Sequence, residues 1–284
     1  MKFKTIFILF NAVIVFSFLI IFFMPLLMLG IEYTAVFWTK NWFLPILFLG
    51  VLALLNTYFF INRKMFTYLE KEEWGELITL LEDRIFNKHK FINQQIRVLV
   101  NAYLVQSDIE SIQKLEKLLE ENAERKISAN ALQFGIPYLL KNEPLEMEKY
   151  FKEQSGKVGG SDGLWMFWNY AFSLLLNSKK DKAREVLITL EQELSKKGKE
   201  PTLLLLTLYL LNTFPDEDRE IRDIISESGN RLKKRYSSAE WEKILERSRS
   251  NIEVVILSKL VNEAADWIRE HPAASGEEKT GEDV

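Results

Sequence analysis

The chain has 284 residues, a formal net charge of −3 and no cysteine. This composition excludes disulfides, thiolate nucleophiles and Cys-ligated zinc, and it gives no overall basic bias towards nucleic acid. The two histidines, His89 and His271, are too few for a His-rich metal site, so no metal or other cofactor is expected.

The first elements are apolar. Neither Thr5–Ile31 nor Asn41–Asn62 contains a charged residue. A helix needs about 20 residues to cross a bilayer core, and both windows qualify. Pro25 and Pro45 lie near the span ends, where they are tolerated. Tyr33, Trp38 and Trp42 sit in or beside the short connection, where aromatic rings favour the membrane–water interface. A cleaved signal peptide is the rival reading of the first window, because Lys2 and Lys4 precede it. Its apolar region is far longer than the roughly 7–15 residues of such a segment, and no A-x-A site follows. An uncleaved span is therefore expected.

Charge sets the expected orientation. Lys2 and Lys4 precede the first span and Arg63 and Lys64 follow the second, whereas the loop between carries only Glu32 and Lys40. The positive-inside rule places both ends and the remaining chain in the cytoplasm, as in a bacterial inner-membrane protein. Arg63 and Lys64 directly follow a span and are expected to meet anionic headgroups. Two later apolar runs, Gly163–Asn177 and Thr202–Phe214, are too short to cross and read as buried core helices.

Beyond Arg63 the chain repeats. Tyr68, Tyr103, Tyr138, Leu174 and Tyr209 occupy equivalent places, at intervals of 35, 35, 36 and 35 residues. At each, an apolar helical stretch precedes the anchor, a polar turn follows, and a second amphipathic helix comes next, as with Leu77, Leu80, Leu81 and Ile85. A period of this length marks stacked helical pairs, because one pair cannot bury its apolar face alone. Pro144 and Pro201 fit first-turn positions, Pro215 fits a stop, and Ser237-x-x-Glu240 is a capping box. From Ala239 to Glu270 the pattern is helical and is expected to cap the stack. The glycine-rich stretch Ser155–Gly163 reads as a loose joint. With no Gly or Pro between Gly50 and Glu73, the second span and the first repeat are expected to share one helix.

The second unit, "QQIRVLVNAYLVQSDIESIQKLEKLLEE", resembles a tetratricopeptide repeat (TPR). Leu99, Tyr103 and Asp108 match its first-helix Leu, its Tyr and the acidic residue of its turn. Val100, Ser107 and Ile112 stand where the repeat has a small residue, a turn Gly and an Ala. Two spans followed by such repeats also give a layout similar to that of a TPR protein associated with bacterial haem biosynthesis. The resemblance implies an all-α fold, a two-helix transmembrane hairpin followed by a TPR-like solenoid of about five helical pairs and a C-terminal helical cap. It also implies a groove lined by first-helix positions nine, six and two residues before the anchor. These are Gln94, Arg97 and Asn101 in the second unit and Trp165, Trp168 and Phe172 in the fourth. The competing reading of the aromatic trio is core packing.

No residue pattern announces a reaction. Gly156-Lys157 is followed by Val158, so the P-loop pattern fails. The cluster Arg231, Lys233, Lys234 and Arg235 fits a last helical turn, where cations complement the helix dipole. The expected organisation is a two-span hairpin at 1–62, a repeat domain at 63–271 and a disordered acidic tail at 272–284. The expected function is a non-enzymatic, membrane-anchored adaptor whose repeat domain binds a protein or peptide, with no nucleic-acid partner. The alternatives are a non-catalytic subunit of a membrane enzyme or transport complex, and a lipid-handling membrane protein.

Overall fold

A computed structural model describes residues 3–141, 143–215, 217–248 and 252–270, and none of these residues lies in a strand. The expected tail, with His271 and Lys2, lies outside them. Contacts divide the chain into two units at Ser107 and Asp108.

In the first unit, α1 (Phe3–Lys40) breaks at Gly30, whose φ of 79° and ψ of 178° are not helical. Only glycine adopts that conformation without strain. The span-length stretch therefore stops at Met28. The rest of α1 returns along it, and Trp38 stacks on Phe22 with ring centroids 4.6 Å apart. α2 (Phe43–Glu70) is the second helix long and apolar enough to cross a membrane. Phe7 meets Phe59 at 4.9 Å and Phe18 stacks on Phe48 at 4.2 Å, holding the two helices together. Between them Asn56 Nδ2 donates to Asn11 Oδ1 at 2.8 Å. Such a bond favours one register of two apolar helices, because a slip would leave Asn11 Oδ1 without this donor.

α2 continues through Arg63 and Lys64 to Glu70 without a break, so the boundary expected at 62/63 falls inside one helix. α3 (Trp74–Glu82) follows and passes into a π-helical turn at Asp83–Asn87. It packs against α2, and α4 (Asn93–Val105) packs against it. Met65, Leu77, Leu81, Ile85, Ile96 and Leu99 form the buried seam.

The second unit contains α5 (Ile109–Asn122), the short α6 (Arg125–Ser128), α7 (Ala131–Lys141), α8 (Pro144–Ser155), α9 (Gly160–Leu176), α10 (Lys180–Lys197), α11 (Pro201–Leu211) and α12 (Arg219–Arg235). Three further helices follow among the described residues, α13 (Ser238–Ser248), α14 (Ile252–Ile256) and α15 (Ser258–Glu270). Pro144 and Pro201 open α8 and α11. Asp108 and Asp218 cap α5 and α12 by accepting from the backbone N–H groups of Ser111 and Ile221. Only Gly156–Gly159 stay outside α8 and α9, so the loose joint is shorter than its glycine content implied. Gly135 in α7 is a close approach: a Cβ there would lie 2.8 Å from Cε1 of the buried Phe151 of α8.

The repeat is written in the backbone. Glu72, Ser107 and Ser178 have φ of 56°, 57° and 59°, a left-handed conformation uncommon for residues other than glycine. Each lies four residues after an anchor, Tyr68, Tyr103 or Leu174. Asn142, the equivalent after Tyr138, is outside the described residues, and Thr213, after Tyr209, is not left-handed. Two anchor hydroxyls also reach back to the preceding second helix of their own unit. Tyr103 Oη donates to Glu82 at 2.7 Å, and Tyr138 Oη donates to Glu116 at 3.4 Å. Later pairs are tied differently. Arg184 of α10 grips Asp218 at 2.6 and 3.1 Å and Glu220 at 2.6 Å. Nearby, buried Glu191 accepts from Ser195 and Ser228, both at 2.5 Å.

Candidate functional site

First-helix faces are the sites the sequence points to, and the two units present them differently. In the first unit, α4 buries Gln95, Ile96, Leu99, Val100, Ala102 and Tyr103. Gln94, Arg97 and Asn101 are all exposed, and their spacing of three and four residues puts them on one face. Gln94 Oε1 accepts from Tyr58 Oη of α2 at 2.6 Å.

The second unit covers its corresponding face with its own chain. α14 packs on α7, while α13 and α15 pack on α11. Thr202 and Ser248 share a hydrogen bond at 2.8 Å, and Tyr209 meets Trp267 ring to ring at 5.9 Å and donates to Glu263 at 3.3 Å. Val254, Leu257, Val261, Ala264, Trp267 and Ile268 are buried in this layer. The C-terminal segment, described as α13, α14 and α15, supplies the helical cap expected of it and lies over the first helices α7 and α11. The physical reason is α11, which is apolar nearly all round and needs a cover on every side.

α9 packs against α8 and α10, and burial decides the aromatic trio. Trp165 and Trp168 are 2% and 0% exposed and stand edge to face at 6.3 Å, so they belong to the core and line no open groove. Phe172 is half-buried and stacks on Trp168 at 5.3 Å. It shares a cavity of about 270 Å³ with Ile256, Leu257 and Leu260 of the covering segment.

Sequence reading missed two features. Glu116 looks like a solvated face residue, yet it is half-buried beside Tyr138. Burial, reinforced by the neighbouring Glu120, pushes its carboxyl up to about 7. Burial also raises the hydroxyl of Tyr138, which stacks on Tyr150 at 4.6 Å. Only the recurrence of Tyr at the anchor, with Glu 21 or 22 residues earlier, signalled these pairs. The second feature is Arg84, which donates to Asn62 Oδ1 at 3.3 Å and to the Ile61 carbonyl at 3.2 Å. It pins the π-helical turn to α2 just where the charged residues begin. At the membrane-interface positions, Arg63 and Lys64 are exposed, Trp42 is 66% exposed, and Trp38 is half-buried against Phe22. Among the described residues no group of three or more His, Asp or Glu could hold a metal ion.

Fold and site together define an all-helical chain of two span-length apolar helices followed by a helical repeat-like domain. The chain belongs to the family described as "Uncharacterised Treponema protein", whose profile matches residues 111–270. That range begins in α5 and ends with α15, so the covering helices are part of what the family shares. A Treponema pallidum (strain Nichols) protein with the description "Uncharacterized protein" is 24% identical over 235 residues, 78% of this chain and 74% of the relative. No solved structure matches the chain.

Proposed function

We propose that the protein is a membrane-anchored adaptor whose TPR-like helices hold a protein or peptide partner at the cytoplasmic surface. The observation that carries this reading is the α4 face: Gln94, Arg97 and Asn101 are exposed together on a helix whose other side is buried. Arg is a frequent anchor of binding interfaces, and flanking amides supply directional hydrogen bonds. The recurring left-handed turn and the Asp108 cap support the TPR-like assignment. The continuous α2 supports close tethering, which raises the effective concentration of a partner without a tight contact. Lys and Arg at the outer ends of the two spans support the cytoplasmic orientation.

A photo-crosslinking residue in place of Arg97, in native membranes, tests the reading. Glu76, exposed on α3, carries the control probe. A discrete protein adduct from position 97 and none from position 76 is the expected result. Equal labelling from both, or lipid adducts alone from position 97, overturns the groove.

A further inference from the structure

The loop between the π-helical turn and α4, Lys88–Ile92, lies low along α2. Three bonds set its height. Arg84 is held at Ile61 and Asn62, and Gln94, in the first turn of α4, is held at Tyr58. A helix rises about 1.5 Å per residue, so Tyr58 stands about 6 Å on the span side of Asn62. Helical side chains lean towards the helix N-terminus, which in α2 is the span side, so the Tyr58 hydroxyl does not reach outward to meet Gln94. The start of α4 therefore sits level with the last uncharged turn of the second span, below Arg63 and Lys64.

The composition of the loop suits that depth. Lys88, His89 and Lys90 are exposed, and Ile92 is 49% exposed. Phe91 is half-buried with its ring 5.9 Å from His89. Of the nearby carboxylates, Asp83 is engaged by Lys88 and Glu82 by Tyr103. Arg63, Lys64, Arg84 and Lys90 remain as the cationic surround. Exposed apolar side chains flanked by cations are the pattern of segments that rest in the headgroup boundary.

We propose that Lys88–Ile92 is a membrane-surface contact, with Ile92 and Phe91 entering the headgroup boundary and Lys90, beside Arg63 and Lys64, binding the phosphates of anionic phospholipids. Together with Arg63 and Lys64 the loop would fix the tilt of α4, and so the height of its exposed face above the bilayer. The proposal rests on α2 spanning the membrane.

The absence of cysteine allows single-site labelling of the full chain in vesicles. An environment-sensitive fluorophore goes on Ile92→Cys, with Leu54→Cys inside the second span and Glu76→Cys, about 12 Å farther from the bilayer than Arg84 along α3, as references. Phosphatidylcholine vesicles with and without phosphatidylglycerol carry a nitroxide-lipid quencher. Quenching at 54 and 92 but not at 76 is expected, with that at 92 rising when phosphatidylglycerol is present. Adding Lys90→Gln should weaken loop insertion about fivefold, equivalent to about 1 kcal/mol. Quenching at 54 with a solvent-exposed label at 92 overturns the proposal while leaving the span reading intact. No quenching at 54 overturns the span reading and the proposal with it. Quenching at 92 that ignores phosphatidylglycerol overturns the headgroup assignment.

Discussion

The face of α4 and the faces of α7, α9 and α11 occupy the same place in their helical pairs, yet one is polar and open and the others are apolar and covered. On α4 the outward residues are Gln94, Arg97 and Asn101. On α9 and α11 the equivalent surfaces carry Phe172 and Tyr209, and the chain spends its last three helices on hiding that region. A repeat period fixes where a face lies, whereas the side chains on it decide whether it becomes core or surface. The same comparison separates exposed residues from packing residues more sharply than composition does.

The largest effects should come from the covered side. Trp168→Ala, at a fully buried ring, is expected to cost about 3–5 kcal/mol, and Trp267→Ala on the covering helix about 3 kcal/mol. Denaturant unfolding of the purified chain in detergent measures both. A loss under about 1 kcal/mol for Trp267→Ala would mean that α15 is a detachable flap, and the covered face would regain standing as a partner site. Next comes Gly135→Ala, which drives a methyl group to 2.8 Å from the Phe151 ring. Phe151 is fully buried and cannot swing clear, so about 1–3 kcal/mol of overpacking strain is expected in the same assay.

Much of this fold was legible because its signals are local. The two charge-free windows, the anchors at Tyr68, Tyr103, Tyr138 and Leu174, and the prolines opening α8 and α11 each depend on a few neighbouring residues. The continuity of α2 followed from the absence of any breaker before Glu73. What sequence concealed was long-range. Nothing local tells a Trp facing solvent from one buried under packed helices, and Trp165 and Trp168 were readable as groove or as core. Helical amphipathicity in α13 to α15 announced an apolar stripe but not the surface it would meet. Glu116 concealed its burial for the same reason, since Tyr138 lies 22 residues away.

Glu116 gives a smaller, pH-dependent effect. Its folded-state value of about 7 exceeds the ordinary 4.5 of an unfolded glutamate. Between those values the folded chain holds a proton that the unfolded chain releases, so this group's contribution to stability is full below pH 4.5 and is lost as pH rises through 7. Glu116→Gln, which stays neutral, should match the native protein at low pH and exceed it above pH 7. Because the carboxyl is partly open to solvent, the gain is on the order of 1 kcal/mol. Thermal melts at both ends of the range measure it. An equal shift at both ends would show that packing, rather than ionisation, governs the Tyr138–Glu116 contact.

The smallest effect should fall on the open face, and its smallness is informative. Gln94→Ala, Arg97→Ala and Asn101→Ala remove side chains from an exposed surface, so each should change stability by no more than about 0.5 kcal/mol. Gln94 surrenders the bond from Tyr58, and a neutral exposed hydrogen bond is worth about 1 kcal/mol or less. Polar residues that add so little to the fold can be exchanged without unfolding it, which is what a surface reserved for contact requires. Circular dichroism melts of the three variants, paired with crosslinking from position 98 on the same helix, separate the two quantities. Unchanged melts with a lost adduct assign the face to partner contact. A large drop in melting temperature for Arg97→Ala would instead make it a packing residue, and the contrast between the two faces would collapse.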